Sequence, residues 1–362
     1  MELEPRALEA YFTRLMGRPV AIEALQPLGG GATGAAAIKA FGYGRPLWID
    51  FRVGDERRQV VLRQVKRNGY GHELDADRMA EVWWSFGAFN QLPRHTQAVD
   101  MVGVTGEGEL ESLGHVQELL LLTGYAPGAP YADDLLRIRD EGRCTGLDIQ
   151  RAQALGSYLA QIHAVKHSDP LLWRRRLRDL VGDGEGIMGL ADGYPADFSL
   201  ATEHDLRAIE DAANRWRWRL KPLSHRLSQV HGDFHPFNIL FAEGDTFHLL
   251  DRSRGEWGEP ADDVSCLAIN YLFFSLQRYG ALEGPFAELY GAFWEQYLAL
   301  VDDPELTAVI QPWFAWRTLV LASPQWYPTL GDPARRKLFN FAHRLLQEER
   351  FEWQEINRYL ER

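Results

Sequence analysis

The sequence predicts an α+β protein of two lobes, a small β-rich N-lobe over residues 1–122 and a larger, mainly helical C-lobe over 123–362. Three observations carry that prediction. Short runs of β-branched and aromatic residues broken by glycine turns dominate the N-terminal part, whereas from Thr123 onward apolar residues recur at helical spacing. A chain of 362 residues with 46% hydrophobic and 12% aromatic content can also bury one large or two medium cores, which suits a bilobal arrangement.

Composition sets outer bounds. The formal net charge of −12 argues against a nucleic-acid partner, because phosphate backbones select basic surfaces. No apolar stretch approaches the length that crosses a bilayer, and the opening MELEPRALEAYF is acidic and lacks a signal peptide's apolar core. The expectation is a soluble, cytoplasmic protein with no membrane partner. Cys144 and Cys266 lie far apart, so neither a disulfide framework nor a cysteine metal site is indicated.

An amphipathic helix over Pro5–Met16 opens the N-lobe, and residues 20–28 read as a strand running into Gly29-Gly30-Gly31-Ala32-Thr33-Gly34. Glycines there would let the backbone approach phosphates closely, although a plain turn between two strands has the same composition. Lys39 follows too closely to lie on a third strand and reads as a surface lysine of the second. Next come a strand over Leu47–Val53, a turn at Gly54-Asp55 and a strand over 59–65, on which Val61, Arg63 and Val65 share a face by the two-residue period. Residues 75–92 have helical character, with Met79, Val82, Trp83, Phe86 and Phe89 as an apolar stripe, and 114–121 read as the lobe's last strand.

In the C-lobe, residues 148–167 carry Ala152, Leu155, Leu159 and Ile162 at helical spacing and include His163, read as a packed structural histidine. Residues 168–219 form an insertion whose basic run, 174–178, is expected to be a solvated helix face. The helical C-terminal region is rich in rings, including Tyr271, Phe273, Phe274, Trp294, Trp313, Trp316 and Trp326, expected mainly in the core.

The segment VHGDFHPFNILFAEGDTFHLLDRSRGEWGEPADD holds the most chemistry. It reads as a polar loop with Asp233 and Asn238, a strand over Ile239–Phe241, a turn over 242–246 and a strand over 247–250 that delivers Asp251. Folding that hairpin gathers three oxygen-bearing side chains at one end. Phosphoryl transfer needs such a set: a carboxylate to orient the attacking hydroxyl, and an Asn and an Asp to hold Mg²⁺ against phosphates.

The pattern His231-Gly232-Asp233-x-His235-x-x-Asn238, then Asp251, then Gly258-x-Pro260-x-x-Asp263, resembles the aminoglycoside phosphotransferase and choline kinase family. That resemblance implies a bilobal protein-kinase-like fold, ATP and Mg²⁺ as cofactors, and phosphorylation of a hydroxyl on a small molecule such as an aminoglycoside-like, choline-like or other amino or hydroxy metabolite. It makes Asp233 the catalytic base, Asn238 and Asp251 the metal ligands, and His231 and His235 supports of the loop. Asp263 fits the family's helix-start aspartate, a structural role.

By the same resemblance Gly29, Gly30, Gly31 and Thr33 belong to a nucleotide-covering loop. Arg63 stands where a kinase lysine would, with Lys66 as the alternative and Glu81 as its partner, and Glu118 and Leu119 are nominated at the hinge by position. His235, Glu256, Trp257, Glu259 and Asp262 are candidates for the acceptor wall, where rings and carboxylates would suit an ammonium group. The acidic net charge mildly favours such an acceptor. A kinase-fold nucleotide-binding protein without catalysis is the main alternative, and a protein kinase is disfavoured because Gly258 follows Asp251 with no Ala-Pro-Glu segment ending.

Overall fold

Residues 4–28 and 46–361 are described by the structure, a computed structural model, and the chain falls into two units, Met1–Thr123 and Gly124–Arg362. The glycine-rich loop with Gly29, Gly30, Gly31 and Thr33, and Lys39 with it, lie outside the described residues. The secondary structure is α+β, with short antiparallel sheets and a large helical share.

In the first unit, helix α1 (Pro5–Met16) ends at Gly17, whose φ of 66° supplies the left-handed cap. Strands β1 (Val20–Pro27), β2 (Leu47–Val53) and β3 (Glu56–Leu62) form an antiparallel sheet with β2 central. Ile49, Phe51 and Val53 alternate on one face of β2 and are buried against Leu8, Tyr11 and Phe12 of α1. The Phe12 and Phe51 rings stack at 4.4 Å. Each such side chain contributes roughly 1.5–3 kcal/mol by leaving water.

Gly54, at φ 61°, and Asp55 turn the chain between β2 and β3, so Val53 pairs with Glu56 and the ladder closes on Leu47 and Leu62. The next rung would set Arg63 against Pro46, which has no N–H to give. Arg63 therefore lies just past the strand, a correction to its expected place on it, and its exposed guanidinium sits 5.9 Å from the Phe89 ring. Helix α2 (Asp75–Phe89) stops short of residue 92 and buries none of its residues; Met79 of the expected stripe is 67% exposed. Glu81 on α2 pairs with His72 rather than with Arg63.

The strand expected over 114–121 does not form. Pairing is satisfied upstream instead, where β4 (Val102–Val104) and β5 (Leu110–Ser112) make a local hairpin, and Glu118 and Leu119 are exposed coil.

The second unit opens with β6 (Ala129–Pro130) and α3 (Tyr131–Glu141). Helix α4 (Gly146–His163) starts at a capping box in which Thr145 and Asp148 satisfy each other's backbone amides. The insertion folds as α5 (Pro170–Gly182), α6 (Ile187–Asp192) and α7 (Glu203–Leu220), followed by the two-residue strand β7 (Ser228–Gln229). Strands β8 (Ile239–Phe241) and β9 (Phe247–Leu249) form the expected hairpin, with β6 on the far side of β8. After β10 (Trp257–Gly258), which pairs with β7, come α8 (Pro260–Arg278), α9 (Pro285–Leu300), α10 (Leu306–Val309), α11 (Gln311–Ala322) and α12 (Asp332–Leu345).

Helix α8 is buried from Pro260 to Leu276, and α11 is buried almost throughout, so both are central helices enclosed on every side, with Asp262, Asp263 and Arg317 as charges among mainly apolar residues. The aromatic residues are core as expected, except Trp326, which is 63% exposed. No helix among the described residues is long and apolar enough to cross a membrane.

Candidate active site

The turn between β7 and β8 carries the polar motif. Gly232 adopts φ 86°, a conformation open to glycine, which turns the chain so that the His231 and Gly232 amides both point at one carboxylate. They donate to Asp263 Oδ2 and Oδ1, each at 2.7 Å. Asp263, 32 positions beyond His231 in sequence but adjacent in space, sits in the first turn of α8, where the helix dipole also favours negative charge. Burial works against its ionised form, yet the His163 imidazole and the two amides hold its carboxyl below the usual range. His163 is fixed between Asp263 Oδ2 (3.2 Å) and the Tyr297 hydroxyl (2.8 Å), the packed structural role expected of it.

His231 is itself buried, and burial lowers its affinity for a proton. Its Nδ1 accepts the Asp233 amide at 3.2 Å, which places the ring proton on Nε2 for donation to the Leu250 carbonyl at 3.0 Å. One side chain thus ties Asp233 to the end of β9. Asn238 strengthens the link: its Nδ2 donates to the Asp233 carbonyl at 3.1 Å, and its own carbonyl accepts the Leu250 amide at 2.9 Å. Asp251 follows directly, exposed and at φ 54°. That left-handed backbone is uncommon outside glycine and costs of order 1 kcal/mol.

Asp233 has the most elaborate surroundings. Oδ1 is 2.7 Å from Arg317 Nη1 and 2.7 Å from Arg254 Nη1, and Oδ2 is 3.5 Å from His235 Nε2. Burial alone would raise its pKa; His235 and the two guanidinium groups outweigh burial and hold the carboxyl far below the usual carboxylate range. Arg317, 5% exposed, also donates to the Gly232 carbonyl at 3.0 Å and to Asp262. Arg254 reaches the Gly232 carbonyl and Glu185 Oε2, both at 3.0 Å. Both guanidinium groups lie over the Trp316 ring, that of Arg317 at 4.0 Å and that of Arg254 at 5.0 Å.

Sequence reasoning singled out neither arginine for a role. Arg317 contacts Asp233 across 84 positions, beyond any local spacing. The available signal was one charge inside the apolar run Trp313–Ala322, since a buried arginine needs buried partners. The insertion also departs from expectation, because Arg176, within the basic run, donates to the Trp257 carbonyl at 2.7 Å rather than facing solvent.

Of the acceptor-wall candidates, His235 stands beside Asp233. Glu259 does not. It is fully buried, caps α8 through the Ala261 amide and binds the Arg226 guanidinium at 2.6–3.1 Å, so it faces the interior instead of an acceptor. Asp262 is engaged by Arg317, and burial, opposed by that arginine, raises its pKa. Trp257 stacks on His167 at 4.5 Å, and Glu256 is exposed. Glu259→Gln is expected to lower the unfolding free energy by about 2 kcal/mol in a urea titration. A shift in acceptor KM with no loss of stability would return Glu259 to the acceptor wall.

Asn238 and Asp251 offer hard oxygen donors at the same end of the hairpin. With Nδ2 of Asn238 hydrogen-bonded, its amide oxygen is the group left to bind a cation. No set of three His, Cys, Asp or Glu among the described residues could hold a metal alone. A two-donor site of this kind fits Mg²⁺, which keeps several waters and takes its remaining ligands from phosphates.

A model of the phosphotransferase enzyme family matches residues 50–309, so the chain belongs to that family. It is an enzyme of the phosphotransferase class. No curated protein matches the chain in sequence. Among solved structures it is similar to a glucosamine kinase in complex with glucosamine, ADP and inorganic phosphate (18% identity, TM-score 0.38), a match covering 58% of this chain and spanning 60% of that one. It is also similar to an amicoumacin kinase in complex with AMP-PNP and Ca²⁺ (15% identity, 88% of this chain and 90% of that chain, TM-score 0.41). A choline/ethanolamine kinase family protein from Mesorhizobium loti matches at 15% identity over 93% of this chain and 91% of that chain, with a TM-score of 0.36.

Proposed function

We propose that this protein is an ATP- and Mg²⁺-dependent phosphotransferase that phosphorylates a hydroxyl of a small molecule. The observation that carries this reading is the tie between Asp233, Asn238 and the Leu250–Asp251 end of the hairpin, with Asp233 kept ionised. An ionised carboxylate accepts the acceptor's O–H hydrogen bond and so aims an oxygen lone pair at phosphorus. Asp233 is too acidic to be a strong base, and its role is to orient the hydroxyl and receive the proton as the new O–P bond forms. That suits phosphoryl transfer, whose loose transition state asks for positioning more than basicity.

Asn238 and Asp251 would hold the metal, which when bound offsets the charge of the phosphates. The sequence pattern nominates Arg63 or Lys66 as a further cation for the phosphates, and Glu118 and Leu119 for the adenine edge. The loop with Gly29, Gly30, Gly31 and Thr33 would cover the nucleotide. With Glu259 and Asp262 engaged internally, the case for an ammonium-bearing acceptor rests on Glu256, Trp257 and His235.

ATP consumption measured with Mg²⁺ across aminoglycosides, choline analogues, sugars and hydroxy amino acids tests the reading. Turnover on one class is expected; none on any class, with ATP still bound, would favour a catalytically silent nucleotide-binding protein. Asp251→Ala should weaken Mg²⁺-dependent nucleotide binding by at least about tenfold, as read by calorimetry at graded Mg²⁺. Unchanged metal dependence would remove Asp251 from the ligand set.

A further inference from the structure

Two guanidinium groups meet on one oxygen of Asp233, and they are held differently. Arg317 is the fixed one: it is buried and anchored to the Gly232 carbonyl and Asp262. The Arg254 side chain is 27% exposed, and its other ionic partner, Glu185, is 70% exposed. Exposed pairs of this kind contribute about 0–1 kcal/mol, so the restraint on Arg254 from that side is slight.

Location matters as much as mobility. Arg254 lies three residues beyond Asp251 on the loop leaving β9, and its guanidinium touches Asp233, the carboxylate that would orient the acceptor hydroxyl. A phosphoryl group arriving there brings negative charge next to Asp233 and Asp262. A cation able to turn toward it would offset that repulsion, and a planar guanidinium can bind two phosphoryl oxygens at once. Trp316 provides a flat surface on which such a group can pivot without losing its contact.

We propose that Arg254 is a further catalytic residue, which leaves Asp233 Oδ1 when substrates bind and contacts the transferring phosphoryl group. This rests on the phosphotransferase reading above. In the step it assists, the acceptor oxygen bonds to phosphorus and the bond from phosphorus to the bridging oxygen of ADP breaks, its electron pair departing with ADP. The hydroxyl proton passes to Asp233 and then to water.

The test uses the full-length protein, Arg254→Ala and Arg254→Lys, with MgADP binding measured by calorimetry in the presence and absence of aluminium fluoride as a mimic of the transferring group. Wild-type protein is expected to bind MgADP at least about tenfold more tightly with aluminium fluoride. Arg254→Ala should lose that gain while its affinity for MgADP alone stays within about threefold, and its kcat for ATP turnover should fall about 100-fold. Arg254→Lys should recover part of both, since it keeps the charge without the planar fork.

Retention of the aluminium fluoride gain in Arg254→Ala would overturn the proposal. So would a parallel loss of MgADP binding or of thermal stability, which marks a structural role. Wild-type protein that transfers phosphate neither to any acceptor in the panel nor to water would sink the phosphotransferase reading itself, an outcome distinct from an active wild type with an equally active Arg254→Ala.

Discussion

Asp233→Asn is expected to reduce kcat by about 10³-fold, near the middle of the range for losing a positioned proton acceptor. The amide keeps the size of the carboxylate but can present an N–H toward the acceptor hydroxyl, and it cannot take its proton. ATP affinity should hold, because the Asn238 and Asp251 side chains are untouched. The thermal midpoint should fall modestly, since Arg317 and Arg254 lose their shared anion but keep the Gly232 carbonyl. Normal turnover by this variant would refute the role given to Asp233.

The same environment predicts a feature of the wild-type rate profile. Because the Asp233 carboxyl is held far below the usual range, it stays ionised through the neutral and mildly acidic region. A plot of kcat/KM against pH should therefore show no acid limb from this group above about pH 4. An acid limb near pH 6 that vanished in Asp233→Asn would contradict the ionised, arginine-paired state.

Arg317→Met should be the most damaging change to stability. Methionine fills much of the space, yet it leaves Asp262 without its guanidinium partner and Asp233 with only Arg254 and His235. Removing one member of a buried ion pair costs about 3–5 kcal/mol. The pH dependence identifies the cause. A carboxyl whose folded pKa is depressed contributes stability that is fully present above its unfolded value, about 4, and lost as pH falls through the folded value. The variant has less of this contribution to lose, so for Asp233 the gap between wild type and Arg317→Met should be fully present at neutral pH and narrow as pH falls below about 4. Urea titrations at several pH values would measure it; equal midpoints at pH 7, or a gap that widens on acidification, would refute the ion-pair account.

Much of the architecture was legible because it is written locally. Proline in the first turn of α1, the Gly54-Asp55 turn and the apolar triplet Ile239–Phe241 each fix an element within a few residues, and the observed elements carry the expected bounds or nearly so. The polar motif was legible for the same reason, since the spacing of Asp233, Asn238 and Asp251 matches the length of one short hairpin.

What escaped notice depends on partners far along the chain. The end of β3 is decided by Pro46, sixteen residues before its last rung at Leu62. Glu259 looked like an acceptor ligand because nothing nearby reveals Arg226, 33 positions upstream, which holds it in the interior. The leucine-rich stretch before Thr123 has the composition of a strand, but composition cannot say that a neighbouring hairpin is already paired within itself.

Asp263 ties the end of α4, the turn before β8 and the start of α8 to one buried carboxylate. Loops that bear chemistry usually open locally at little free-energy cost, independently of the core beneath them. Here the amides of His231 and Gly232 can be released only if the ionic centre of the core is also disturbed. The residues that would aim the acceptor hydroxyl thus share the lifetime of the helices behind them.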